Sequence, residues 1–115
     1  MKIDLGALAK GYIADKIMDY LKSEKVTSAM INLGGNVLVY GDNPRNDKGI
    51  WRIGIQNPQK PRGNHIGILT LKNQSVVTSG IYERRLKVGN KEYHHIFDQK
   101  TGYPIDTEMA SLTIL

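Results

Sequence analysis

The chain has 115 residues, 40% of them hydrophobic and 23% charged, the proportions of one soluble globular domain. Lys and Arg outnumber Asp and Glu by 16 to 11, and the net charge of +5 suits an anionic ligand, although a solvated basic surface explains it equally well. With no cysteine, disulfides, thiolate metal sites and cysteine nucleophiles are excluded, and no apolar run has the length of a membrane span or the form of a signal peptide.

The basic residues are scattered from Lys2 to Lys100 rather than gathered in one run, which argues against a nucleic-acid partner. Asp4 stands just before a helical pattern. Ala7, Leu8, Tyr12, Ile13, Ile17, Tyr20 and Leu21 recur in steps of three and four, which predicts a helix over 7–22. Strands are expected at 29–33 and 37–40, joined by a Gly34-Gly35-Asn36 turn whose residues tolerate positive φ. Polar, proline-containing loops flank "IWRIGIQ" and precede "IGILTLK", both strand-like, and "QSVVTSG" and "IYERRLKV" follow. Gly89-Asn90 signals a hairpin into "KEYHHIF", and "DQKTGYP" is a turn before a last strand in "ASLTIL". One helix followed by hairpin-joined strands predicts an α+β fold with the helix packed on a mainly antiparallel sheet.

Five stretches carry candidate chemistry, and each has a plain structural alternative. In "DLGALAKGY", Asp4 caps helical N–H groups or accepts a hydrogen bond from a ligand, and Lys10 meets an anion. Gly34-Gly35 makes a tight hairpin or lets a flat ligand or phosphate lie against backbone amides. Thr78, Ser79 and Gly80 form a polar strand end or line a cleft. In "YERR", strand alternation puts Tyr82 and Arg84 on one side and Glu83 and Arg85 on the other. In "YHHIFD", the same alternation points His94 and His95 to opposite faces, so the pair would not share a metal. Asp98 before Lys100-Thr101-Gly102 fits a turn that caps itself.

The order of "DLGALAKGYIADKI", "INLGGNV", "WRIGIQNP", "VTSGIYER" and "YHHIFDQKTGYP" resembles that of the ApbE family, over nearly the whole chain. That resemblance implies a magnesium-dependent flavin transferase that cleaves FAD and joins FMN to a threonine of an acceptor flavoprotein. It implies FAD contacts at Asp4, Lys10 and Ile96, with His95 as the motif histidine. It also implies that Gly34, Gly35, Thr78, Ser79 and Gly80 line the cleft and that the Ala7 carbonyl binds magnesium. It assigns no residue of this chain to the chemical step.

Family members are much longer. Residues 1–115 are therefore expected to be one partial domain, the central section of a longer protein without its N- and C-terminal portions, inactive by itself. The alternative is a non-catalytic module that binds flavin nucleotide or is purely structural. Uncovered strand edges lead to an expectation of homo-oligomers. The chain leaves the compartment open, and the resemblance points to export or membrane anchoring.

Overall fold

The computed structural model describes residues 1, 3–82 and 85–115. Its one helix, α1 (Ala9–Ser23), starts two residues later than the apolar spacing suggests. Asp4 Oδ1 accepts the Gly6 N–H at 2.6 Å, and the Leu5 carbonyl accepts the N–H groups of Leu8 and Ala9 at 3.0 and 2.8 Å. Residues 4–8 are thus spent on a tight turn, and Lys10 lies in the first helical turn rather than the second. The helix ends in a Schellman arrangement, with the Val26 N–H on the Leu21 carbonyl and the Lys25 N–H on the Lys22 carbonyl. Lys25, with φ 61°, occupies the left-handed position that glycine usually fills there.

Among the described residues eight strands follow. β1 (Ala29–Asn32), β2 (Asn36–Tyr40), β5 (Ser75–Gly80) and β8 (Ser111–Ile114) form a four-stranded sheet in the order β1-β2-β5-β8. β3 (Trp51–Gln56) and β4 (His65–Leu71) form a ribbon with a register shift at Ile55/Gln56, and β6 (Arg85–Val88) pairs with β7 (Lys91–His94). Every one of these pairings is antiparallel, as expected, but they make three sheets rather than one. The expected alternation of Tyr82, Glu83, Arg84 and Arg85 falls partly on Glu83 and Arg84, which lie outside the described residues.

β2 joins two hydrophobic clusters because its successive side chains face opposite ways. Val37 and Val39 pack with Val76, Trp51 and Leu71. On the other face, Leu38 and Tyr40 join Ile31 and the helix residues Ala14 and Met18, with Leu21 alongside. Ala14, Met18 and Leu21 are spaced four and three apart, so they form one stripe of α1, and Gly11 precedes them on that stripe. The apolar residues from which the helix was read mostly lie elsewhere: Leu8, before the helix, and Tyr12, Ile13, Ile17 and Tyr20 within it are exposed, and only Leu21 joins the packed stripe.

After β2 the chain is fixed by a glycine joint. Gly41 has φ 65°, its N–H donates to Asn73 Oδ1 at 2.7 Å, and its carbonyl accepts Trp51 Nε1 at 2.9 Å. Ser28 Oγ donates to the Asp42 carbonyl at 2.6 Å beside it. A Cβ at position 41 would run into the Thr27 carbonyl.

Candidate functional site

The β1–β2 hairpin closes through Gly34 and Gly35, with φ 64° and 92°, values that L side chains seldom adopt. Asn32 Oδ1 accepts the Gly34 N–H at 3.1 Å and fixes the turn from inside. Lys10, 24 residues earlier, reaches this turn. Its Nζ donates to the Gly34 carbonyl at 3.2 Å, tying the first turn of α1 to the hairpin tip. The Gly35 carbonyl in turn accepts the Thr78 N–H at 2.8 Å, and a Cβ at Gly35 would lie 3.1 Å from the Thr78 carbonyl. Lys10, Gly34, Gly35 and Thr78 are therefore brought together from three elements. Glycine at 35 lets β5 approach the turn closely.

The side chains of the β5 candidates divide. Thr78 shares a face with Val76, on the β3–β4 side, and its hydroxyl is engaged with that of Thr113 at 2.9 Å. The Thr78 contribution at the turn is thus backbone. Ser79 is exposed and opposite Leu112, and Gly80 is buried beneath the Tyr82 ring, where a Cβ would not fit.

Asp4 is exposed, and its carboxylate holds the Gly6 N–H instead of capping α1. It therefore shapes the approach to the helix, with Ala7 exposed in the same turn. β7 ends at His94, so strand alternation does not extend to His95 and cannot set the direction of its side chain. His94 is half-buried, with Nδ1 accepting the Ile96 N–H at 3.3 Å, whereas His95 is exposed at a bend. Beyond it, the self-capped turn forms as read. Asp98 Oδ1 accepts the N–H groups of Lys100 and Thr101 at 2.7 and 3.4 Å, and the Ile105 N–H returns to the Ile96 carbonyl at 3.0 Å. Among the described residues, no hydrogen bond joins this segment to Lys10 or the Gly34-Gly35 turn.

Asn36 was hidden by its sequence context. "GGN" reads as three turn residues, but only the glycines take positive φ, and Asn36 opens β2 as a buried residue, 7% exposed. The signal was its spacing: Asn36, Leu38 and Tyr40 share a face, and that face meets α1.

Chemically, the group offers an ammonium, two backbone positions open to close approach and the N-terminal end of a helix, which together suit a phosphate. Magnesium fits less well. Among the described residues no three His, Asp or Glu side chains converge, and the ligand implied here is the single Ala7 carbonyl. A divalent cation of this size needs near-octahedral oxygen coordination, so these residues do not assemble its site. A cleft of about 560 Å³, lined by residues including Met30, Arg45, Trp51 and Arg52, lies at the opposite end of the hairpin.

Comparison with known proteins covers the chain from end to end. Residues 1–115 match the model of the ApbE family. The chain is 48% identical over 115 residues to the FAD:protein FMN transferase of Klebsiella pneumoniae (strain 342), covering 100% of this chain and 34% of that protein. It is 39% identical over 120 residues to that of Treponema pallidum (strain Nichols), covering 99% and 33%. The fold is similar to that of the ApbE protein of Thermotoga maritima, with a TM-score of 0.85 and 36% identity over 97% of this chain and 35% of that one. It is also similar to the apo form of the flavinyl transferase ApbE of Pseudomonas stutzeri, with a TM-score of 0.74 and 30% identity over 97% and 33%. The chain thus spans about a third of the length of the curated relatives it matches.

Proposed function

The chain belongs to the ApbE family, and from that premise we propose that it carries part of the nucleotide-binding wall of an FAD:protein FMN transferase. The observation that carries this reading is the Lys10 ammonium held at the Gly34 carbonyl, beside the start of α1. In the proposed reaction, a threonine hydroxyl of an acceptor flavoprotein attacks the FMN phosphorus of FAD. The P–O bond to AMP breaks, AMP leaves with the bond's electron pair, and the hydroxyl proton is released. Lys10 and the N-terminal end of α1 orient the diphosphate and balance its charge. Asp4 sets the turn that leads into that helix, and His95 and Ile96 are assigned to the flavin nucleotide.

Magnesium is assigned to the same protein, and the reading puts its ligands other than Ala7 outside residues 1–115. By themselves these residues are expected to bind FAD weakly and to transfer no FMN. A second reading is a module that binds flavin nucleotide without catalysis. Export or membrane anchoring is proposed for the compartment. Self-association is proposed through the sheet edges β1 and β8.

The deciding experiment assays the protein expressed from the full reading frame that encodes this chain. FAD, magnesium and an acceptor protein should yield FMN-threonine and stoichiometric AMP, and Asp4→Ala should abolish both. FAD binding without AMP release would favour the binding module, and no FAD binding would overturn both readings.

A further inference from the structure

The seam between α1 and β2 is apolar along most of its length. On the helix-facing side of β2, Leu38 and Tyr40 meet the stripe of Ala14 and Met18. At the N-terminal end of the stripe the pattern breaks. The helix presents Gly11, the strand presents Asn36, and Asn36 Nδ2 lies 4.0 Å from where a Cβ of Gly11 would stand. By periodicity this position should take another leucine-like residue.

Asn36 is 7% exposed, and its amide has no hydrogen-bond partner among the described residues. Among the described residues, no side-chain nitrogen or oxygen that is cut off from solvent lacks a partner. The unpartnered amide of Asn36 therefore reaches solvent, although the residue as a whole is largely covered.

Three further donors belong to the start of α1, where Gly11 stands. Leu8 caps α1 without a side-chain hydrogen bond. The N–H groups of Lys10 and Gly11 have no acceptor among the described residues, whereas the Tyr12 N–H already reaches the Leu8 carbonyl at 3.2 Å. Helix-start amides of this kind favour an anion. The Lys10 ammonium waits on a neutral carbonyl that an anionic oxygen can replace. Gly11 leaves free the space that any side chain would fill between the helix and the amide.

We propose that Asn36 is a ligand-binding residue whose amide donates to a phosphate oxygen held at the first turn of α1, together with Lys10 and the Gly11 N–H. The ligand class is a nucleotide phosphate or diphosphate. The proposal deepens the FMN-transferase reading and rests on it. It explains why a polar residue interrupts an apolar seam, and why the interruption faces a glycine at the start of the helix.

The test is equilibrium titration of the protein from the full reading frame with FAD, AMP and riboflavin, in wild type and Asn36→Leu. Asn36→Leu is close in volume and removes the amide. It should weaken FAD and AMP by roughly 10- to 100-fold, the worth of a hydrogen bond to a charged group. Riboflavin, which has no phosphate, should bind as before, and the ligand-free melting temperature should hold or rise. Asn36→Ser, which cannot overpack the seam, serves if the leucine variant does not fold and should weaken FAD and AMP likewise. Unchanged FAD and AMP affinity in a folded variant overturns this proposal while leaving the transferase reading intact. Equal weakening of riboflavin overturns the phosphate assignment. A wild type that binds neither FAD nor AMP overturns the transferase reading and this proposal with it.

Discussion

Gly41→Ala should be among the most damaging single-methyl changes in the chain. The left-handed φ of 65° is unfavourable for alanine by about 1–2 kcal/mol. The new methyl also meets backbone, the Thr27 carbonyl, which cannot swing aside as a side chain can. Moving either segment strains three hydrogen bonds at the joint: Gly41 to Asn73, Trp51 to Gly41, and Ser28 to Asp42. Each contributes about 1 kcal/mol, and a buried indole N–H left unpaired loses more. The sum is about 3–5 kcal/mol, a large part of a domain's roughly 5–15 kcal/mol. For a domain near this size, that corresponds to a fall in melting temperature of roughly 15 °C or more. Gly63→Ala is the control, because Gly63 has φ 95° but nothing within 4 Å of its missing Cβ. It should carry the backbone strain alone, about 1–2 kcal/mol. Thermal unfolding followed by circular dichroism measures both. If the two variants lose stability equally, the collision with Thr27 is not what holds Gly41 in place, and the reasoning fails.

Lys25→Gly should stabilise the protein by about 0.5–1 kcal/mol, since it relieves a lysine at φ 61° in the helix-ending Schellman turn; denaturant unfolding would show the gain, and a loss would mean that the side chain is needed. Lys10→Met should weaken FAD binding by roughly 10- to 100-fold with little change in melting temperature, because its contact with Gly34 is exposed; flavin fluorescence titration gives the first number and unfolding the second. Thr78→Val and Thr113→Val should each destabilise by about 1 kcal/mol, and together by less than the sum, because each removes the same half-buried hydroxyl contact. Additive losses in that double-mutant cycle would deny the contact.

Local chemistry was legible, and long-range pairing was not. The helix could be read from the steps of three and four between Ala7 and Leu21, and the hairpins from Gly34-Gly35 and Gly89-Asn90, because these signals lie within a few residues; the buried face could not, since of the residues read only Leu21 joins the stripe of Ala14 and Met18. That β5 sits between β2 and β8 could not be read, since strand order is decided by packing between distant segments. The candidate site shows the same division. Motif order pointed to Asp4, Lys10 and the glycine pair, and Lys10, Gly34, Gly35 and Thr78 do meet. Asn36 escaped because turn chemistry and strand burial favour opposite readings of one "GGN", and only the facing helix decides between them. The histidines escaped for a related reason: period-two reasoning holds while a strand continues, and β7 stops at His94.

Trp51 is the one tryptophan of the chain, packed between the four-stranded sheet and the β3–β4 ribbon with its Nε1 fixed on Gly41. Intrinsic fluorescence therefore reports from a single place. Oxidised flavin absorbs in the near ultraviolet, where a buried indole emits, so a flavin bound as the proposed function requires would be an energy acceptor for Trp51. β2 separates the turn from the Gly41 joint by five residues, roughly 17 Å of extended chain, within the reach of resonance transfer. The protein thus holds an internal optical gauge. Quenching would record the arrival of a flavin, and a red shift would record the loosening of the Gly41 joint, without any label being attached.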